Sequence, residues 1–212
     1  MMRRLAKAAI PQVLEDNRDT WTAEYLAESR NPTKRYRYRH PEIKGRLRDE
    51  TGDKCVYCES KVGHNTPGDV EHKIPSSIDP ELHFSWNNLT IACTECNRRK
   101  NDYYAPETPF LDPYVDDVEV RVVHHGPVVG WTVGDDCAEV TVRTLELHDG
   151  SRLQLLRRKI EKISEVNDVL ARRVSAQSEA LRQLLSEQIQ SMQAKDAEYS
   201  AMVRSVCERA DG

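Results

Sequence analysis

The chain has 212 residues, 38% hydrophobic and 31% charged, with 31 Lys and Arg against 35 Asp and Glu for a net charge of −4. That balance excludes a global basic field drawing it onto nucleic acid, so any such affinity must come from a local patch. With 9 Gly and 10 Pro it is no low-complexity chain, and no run approaches the ~18 apolar residues of a membrane span.

The opening Met2-Arg3-Arg4-Leu5 is interrupted by Lys7, Pro11 and Glu15-Asp16 before an apolar run develops, so it does not read as a secretion signal. A cytoplasmic location is expected. Val13, Leu14, Trp21, Tyr25 and Leu26 recur at helical intervals over residues 12–29, and Asn31-Pro32 breaks the pattern. From Arg30 to Arg48 eight cations face one acid, Glu42, a local charge of +7, with Tyr36 and Tyr38 interleaved. Clustered arginines suit phosphate contacts, and an exposed tyrosine can stack on an unpaired base. After Pro113 the period falls to two: Val118, Val120 and Val122, a turn at Gly126-Pro127, then Val128, Val129, Trp131 and Val133 predict a β-hairpin. Ala138, Val142 and Leu145 suggest a short helix ending near Gly150, with Ser151 as the next N-cap. Leu153, Leu156, Ile160, Ile163, Leu170 and Val174 then follow a three–four rhythm with Asn167 in an apolar slot. This tail reads as long helix in two segments, either packing on its own chain or docking a partner. The expected parts are residues 1–51 (helical and basic), 52–112 (metal-organised core), 113–150 (hairpin and short helix) and 151–212 (helical).

Four of the six cysteines form two C-x-x-C knuckles, Cys55/Cys58 and Cys93/Cys96, with 34 residues between them. Two such pairs close a tetrahedral site and leave no open coordination position, so the expected zinc is structural. It would replace the core that a fifty-residue segment cannot build. Cys137 and Cys207 have no partner at ligand spacing and are expected to be small buried hydrophobes.

A plain zinc ribbon needs only filler between its knuckles. Here Asp69-Val70-Glu71-His72-Lys73-Ile74-Pro75 and Trp86-Asn87-Asn88-Leu89 lie between them, and the second knuckle runs into Asn97-Arg98-Arg99-Lys100. In order and spacing these elements resemble the HNH (ββα-metal) endonucleases. The resemblance implies an α+β fold, with a zinc-stabilised ββα-metal core between N-terminal helices and a helical C-terminal region. It further implies that His72 is the general base, that Asn88 orients His72, and that Glu71 and Asn97 ligate a divalent ion such as Mg²⁺ or Mn²⁺. Asp69 is a reserve ligand. An extended strand would turn Glu71 to the side opposite His72. Compared with the usual pattern, Glu71 stands where Asp is common and Asn97 where His is. Beside such a site Arg98, Arg99 and Lys100 are expected to contact DNA, as are Arg35, Arg37 and Arg39. His64 and His83 match no motif position and are expected at the surface; His124 and His125 are expected at a solvated turn.

Outside the core, the Met2-Arg3-Arg4-Leu5 opening, Cys55-Val56-Tyr57-Cys58-Glu59, Ala92-Cys93 and Leu111-Asp112-Pro113 are similar to the HNH branch of Septu anti-phage systems, which also accompanies some retrons. That resemblance implies an ABC/SMC-like ATPase partner (PtuA-like), which this chain, lacking a G-x-x-x-x-G-K-[ST] loop, does not itself supply. Two other readings fit the same residues: a zinc-organised adaptor with a vestigial site, and a stand-alone HNH restriction or homing nuclease.

Overall fold

In the computed structural model, which describes residues 3–63 and 68–211, the first quarter of the chain is helical; Met2 and His64 fall outside the described residues. Helix α1 (Gln12–Ala27) is followed by the single turn α2 (Pro32–Arg35), a 3-10 turn (Tyr36–Arg39) and α3 (Pro41–Thr51). Asn31 caps α2 by accepting from the Thr33 N–H at 3.1 Å, with Pro32 preset at the first helical position. Gly52, at φ +61°, ends α3 in the left-handed conformation that glycine tolerates. Ile43, Leu47 and Thr51 recur at four-residue intervals, and this buried face packs on the central hairpin.

That hairpin is β1 (Gly68–His72) antiparallel to β2 (Leu89–Cys93), in the register Gly68↔Cys93 to His72↔Leu89. All five residues of β2 are buried, because α3 and the first knuckle cover it. The Val56 N–H donates to the Ile91 carbonyl at 3.0 Å. Helix α4 (Thr94–Lys100) starts as β2 ends and packs back on both strands, completing a ββα unit.

Beyond it, α5 (Val118–Arg121) leads into the hairpin β3 (Val122–His125) and β4 (Val128–Trp131), then α6 (Asp136–Thr144). The sequence alternation predicted strand from Val118 onward, but the first four residues form a helical turn. The turn buries Val118 and Val122 together and leaves Val120 exposed. It also lets Arg121 reach Asp116 at 2.7 Å and Asp135 at 2.6 Å. Gly126, at φ +62°, supplies the first position of the two-residue β-turn.

The tail forms three helices, α7 (Leu153–Ser175), α8 (Glu179–Met192) and α9 (Ser200–Asp211). Ser151 does not cap α7; its hydroxyl donates to Glu146 at 2.6 Å. The three share a second apolar core that includes Val166, Leu170, Ile189, Tyr199 and Met202. Its connection to the rest of the chain combines Leu155, which packs against both cores, with polar contacts. Arg3 donates to the Gln193 carbonyl at 2.9 Å, the Lys61 N–H to Glu198 at 2.8 Å, and the Ser60 and Tyr199 hydroxyls lie 3.0 Å apart. The tail therefore packs on its own chain, while Leu153, Val174 and Leu184 remain exposed at 71%, 82% and 63%. Among the described residues no helix is long and apolar enough to cross a membrane.

Candidate active site and metal centre

The two knuckles meet: the sulfurs of Cys55, Cys58, Cys93 and Cys96 lie within 4.8 Å of one another, all buried. A tetrahedron of Zn–S bonds has edges of about 3.8 Å, and the Cys58 and Cys93 sulfurs are 3.8 Å apart. The surroundings suit thiolates rather than thiols. The Tyr57 and Cys96 N–H groups each point at a sulfur from 3.4 Å, and Arg152 Nη1 donates to Cys96 Sγ at 3.3 Å. The donor set therefore fits a closed zinc site, and these four residues would hold the ion.

A cleft of about 350 Å³ is bordered by Asp69, Glu71, His72, Asn97 and Lys100, with Arg35 and Arg39 also lining it. His72, the last residue of β1, borders it with an imidazole fixed on three sides. Its Nε2 lies 2.9 Å from the His83 carbonyl, its ring stacks on the His83 ring at 4.7 Å, and Tyr38 meets it edge-on at 4.7 Å. A carbonyl only accepts, so Nε2 carries the hydrogen and the lone pair resides on Nδ1. Burial, reinforced by the neighbouring His83, lowers the His72 pKa to about 3. The ring is therefore neutral at physiological pH. Because the unfolded imidazole titrates near 6.5, acid draws protons to the unfolded chain first, and this contribution to stability falls as pH drops from about 6.5 toward 3.

His83 is not at the surface as expected but 2% exposed. Its Nε2–H donates to the Arg35 carbonyl at 2.8 Å, which leaves Nδ1 to accept from the Ser76 hydroxyl at 2.6 Å. Motif matching missed it. The signal present was a histidine inside the apolar trio Leu82-His83-Phe84, which a 3-10 turn (Pro80–Phe84) folds inward.

Glu71 is buried and engaged by Lys100 Nζ at 2.7 Å and by the Tyr57 hydroxyl, which donates from 3.4 Å. Burial raises its pKa and Lys100 opposes that. Lys100 also donates to the His72 carbonyl at 2.9 Å, so it ties the two sides of β1 together. Lys100 is 2% exposed, which corrects its expected place on an outer DNA-contacting face. Asp69 accepts from Arg39 at 2.6 Å, and Asn97 borders the same cleft from α4. Asn88 does not hydrogen-bond the His72 ring. Its amide donates to the Ile74 and Leu82 carbonyls at 3.0 and 3.2 Å and accepts from the Ile74 N–H at 2.8 Å. It thus clips the segment just after His72 to the 3-10 turn that carries His83.

The basic residues divide. Arg35 and Arg39 border the cleft, and the Arg39 guanidinium lies 4.7 Å over the exposed Tyr36 ring. Arg37 is ion-paired with Glu24 and lies over Trp21. Arg98 pairs with Glu95 at 3.0 Å, and Arg99 pairs with Glu95 and Glu146; none of these three borders the cleft. Tyr38, packed on both histidines and 8% exposed, is no free stacking platform. His124 also turns inward, 8% exposed, with Arg209 donating to its carbonyl at 2.8 Å, whereas His125 stays exposed.

A histidine held beside acidic and amide side chains, on a ββα unit closed by four cysteines, is the arrangement of an HNH endonuclease domain, and the family model of that description matches residues 55–103. Over the domain region the chain is similar to two proteins named Septu protein PtuB. With that of Bacillus thuringiensis it is 35% identical over 77 residues, 36% of this chain and 30% of the relative. With that of Bacillus mycoides (strain KBAB4) it is 33% identical over 82 residues, 32% of this chain and 28% of the relative. The similarity thus spans less than a third of the length of these relatives.

Proposed function

We propose that the chain is a cytoplasmic, metal-dependent HNH endonuclease that hydrolyses phosphodiester bonds of DNA, the effector of an anti-phage complex with an ABC/SMC-like, PtuA-like ATPase. The observation that carries the enzymatic part is the His72 imidazole, neutral and oriented by the His83 carbonyl, at the edge of a polar cleft. The similarity to the Septu proteins supports the defence setting and the partner. Glu71 and Asn97 are the residues that would hold Mg²⁺ or Mn²⁺, with Asp69 in reserve. Two protein donors suit such an ion, which keeps several waters and takes further oxygens from substrate phosphate. When bound, the ion supplies stabilisation of the charge developing on the phosphate and the leaving oxygen. His72 Nδ1 accepts the proton of the attacking water. Lys100 pairs with Glu71 and would yield the carboxylate to the ion. Arg35 and Arg39, which border the cleft, would bind the phosphate backbone.

Cleavage of plasmid DNA by the full chain, alone and with its ATPase, in Mg²⁺ or Mn²⁺ tests this reading. His72→Ala is expected to lower the rate at least ~100-fold, with zinc content and circular dichroism unchanged. Undiminished cleavage by that variant would refute the assignment. His83 acts through His72 as a positioning residue. His83→Ala, which keeps the main-chain carbonyl but removes the stacked ring, is expected to lower kcat about tenfold with little change in KM. His83→Phe, which keeps a stacking ring, should recover part of that loss. Equal damage from both variants, or a change confined to KM, would count against a positioning role.

A further inference from the structure

Lys159, on α7 and outside the HNH domain, is 1% exposed, and its ammonium has no hydrogen-bond partner. A buried lysine is costly unless an opposite charge faces it. Burial lowers its pKa, and the groups whose negative charge would oppose that are Cys58, Glu59 and Cys96. Glu59 is already satisfied. It pairs with Lys54 at 3.0 Å and accepts from the Ser200 hydroxyl at 3.0 Å and the Ala201 N–H at 3.2 Å. The charge left to face Lys159 is that of the cysteines.

Zn²⁺ bound by four thiolates carries a net charge of −2. Seven residues before Lys159, at the start of α7, Arg152 donates to Cys96 Sγ at 3.3 Å and to the Leu145 carbonyl at 3.1 Å. Lys54 and Glu59 cancel, and Arg152 and Lys159 together match the tetrathiolate. The interior around the knuckles is electroneutral when zinc is bound. Without the ion there is no zinc tetrathiolate for the half-buried Arg152 and the buried Lys159 to match.

We infer that Arg152 and Lys159 are the counter-charges of the zinc site, supplied by a helix outside the nuclease core, so that loading the metal and seating α7 on the knuckles are one coupled event. A tyrosine that links Lys159 to the first knuckle fits this arrangement. Tyr199 lies under the Lys159 ammonium at 6.0 Å, and its hydroxyl meets Ser60, whose own hydroxyl is 3.3 Å from Cys58 Sγ. Residues that support metal ligands from behind commonly change metal affinity 10- to 100-fold when removed.

The test is zinc release from the full chain into excess 4-(2-pyridylazo)resorcinol, followed by absorbance. Lys159→Met and Arg152→Met are each expected to release zinc about 10- to 100-fold faster than the natural chain. Arg157→Met, on the exposed face of α7, should release it at the natural rate. If Lys159→Met released zinc no faster and raised the thermal midpoint, Lys159 would be an ordinary buried liability relieved by an apolar chain, and the inference would fall. Should a variant not fold, hydrogen exchange on the natural chain decides. Chelation is expected to strip protection from residues 153–170 together with the knuckles. Protection of α7 that outlasts the opening of the knuckles would overturn the coupling.

Discussion

Stripping the metal from the full chain with a strong chelator is expected to unfold the nuclease core and to lower the thermal midpoint by tens of degrees. The hairpin between the knuckles has two strands of five residues each, a size that is marginal in water without further support. The first knuckle reaches β2 through one main-chain hydrogen bond and β1 through the Tyr57 hydroxyl, and further polar anchors run to the sulfurs and the C-terminal tail. Structural zinc contributes on the order of 10–16 kcal/mol in small finger peptides at neutral pH, comparable to the whole stability of an ordinary domain. Cys58→Ser is therefore expected to purify with little or no zinc and without near-ultraviolet dichroism. Metal analysis of the natural chain should give one zinc per chain. A chelated sample that kept its thermal midpoint would show that the four cysteines are simply core thiols. Loss of cleavage alone would not separate these readings, because His72 and the knuckle residue Cys93 sit at the two ends of the same hairpin.

The parts of this architecture visible in the sequence were those where one residue type at fixed spacing has one physical use. Paired C-x-x-C knuckles bring four sulfurs together almost wherever the intervening chain goes, and Glu71-His72 must sit on one strand between them. Contacts made through the main chain were hidden. The group that orients His72 is a carbonyl, which any residue at position 83 could offer, so no side-chain motif pointed to it. Asn88 was expected at the imidazole and instead clips Ile74 to Leu82, because its polar reach serves loops that pass within hydrogen-bonding distance. Charge runs misled for a related reason. Lys100 and Arg37 look alike in a list of cations, yet one closes on Glu71 in the interior and the other on Glu24. The strand pattern from Val118 failed where Arg121 gained two carboxylate partners by adopting a helical turn. In the tail, heptad spacing specified helices and an apolar seam. It carried nothing about Lys54, one hundred and forty residues away, around which the last segment closes.

Lys54→Met is expected to destabilise the protein by about 3–5 kcal/mol, the usual cost of removing one partner from a buried ion pair. Lys54 and Glu59 have side chains 0% and 1% exposed and lie 3.0 Å apart. The ammonium also donates to the Lys195 and Ala197 carbonyls at 2.6 and 3.0 Å and lies 3.3 Å from the Ser200 hydroxyl. Removing it leaves a buried carboxylate without its cation and two carbonyls without a donor. Both carbonyls belong to the segment entering α9, so the damage should concentrate there. Limited proteolysis of the variant is expected to cut first between Gln193 and Tyr199, at concentrations that leave the natural chain intact. The double variant Lys54→Met/Glu59→Leu removes both charges and should regain part of the loss, which a denaturant midpoint would measure. If the single variant matched the natural chain in midpoint and cleavage pattern, the tail would be held by its apolar core alone, and the polar staple between the first knuckle and α9 would contribute nothing to the fold.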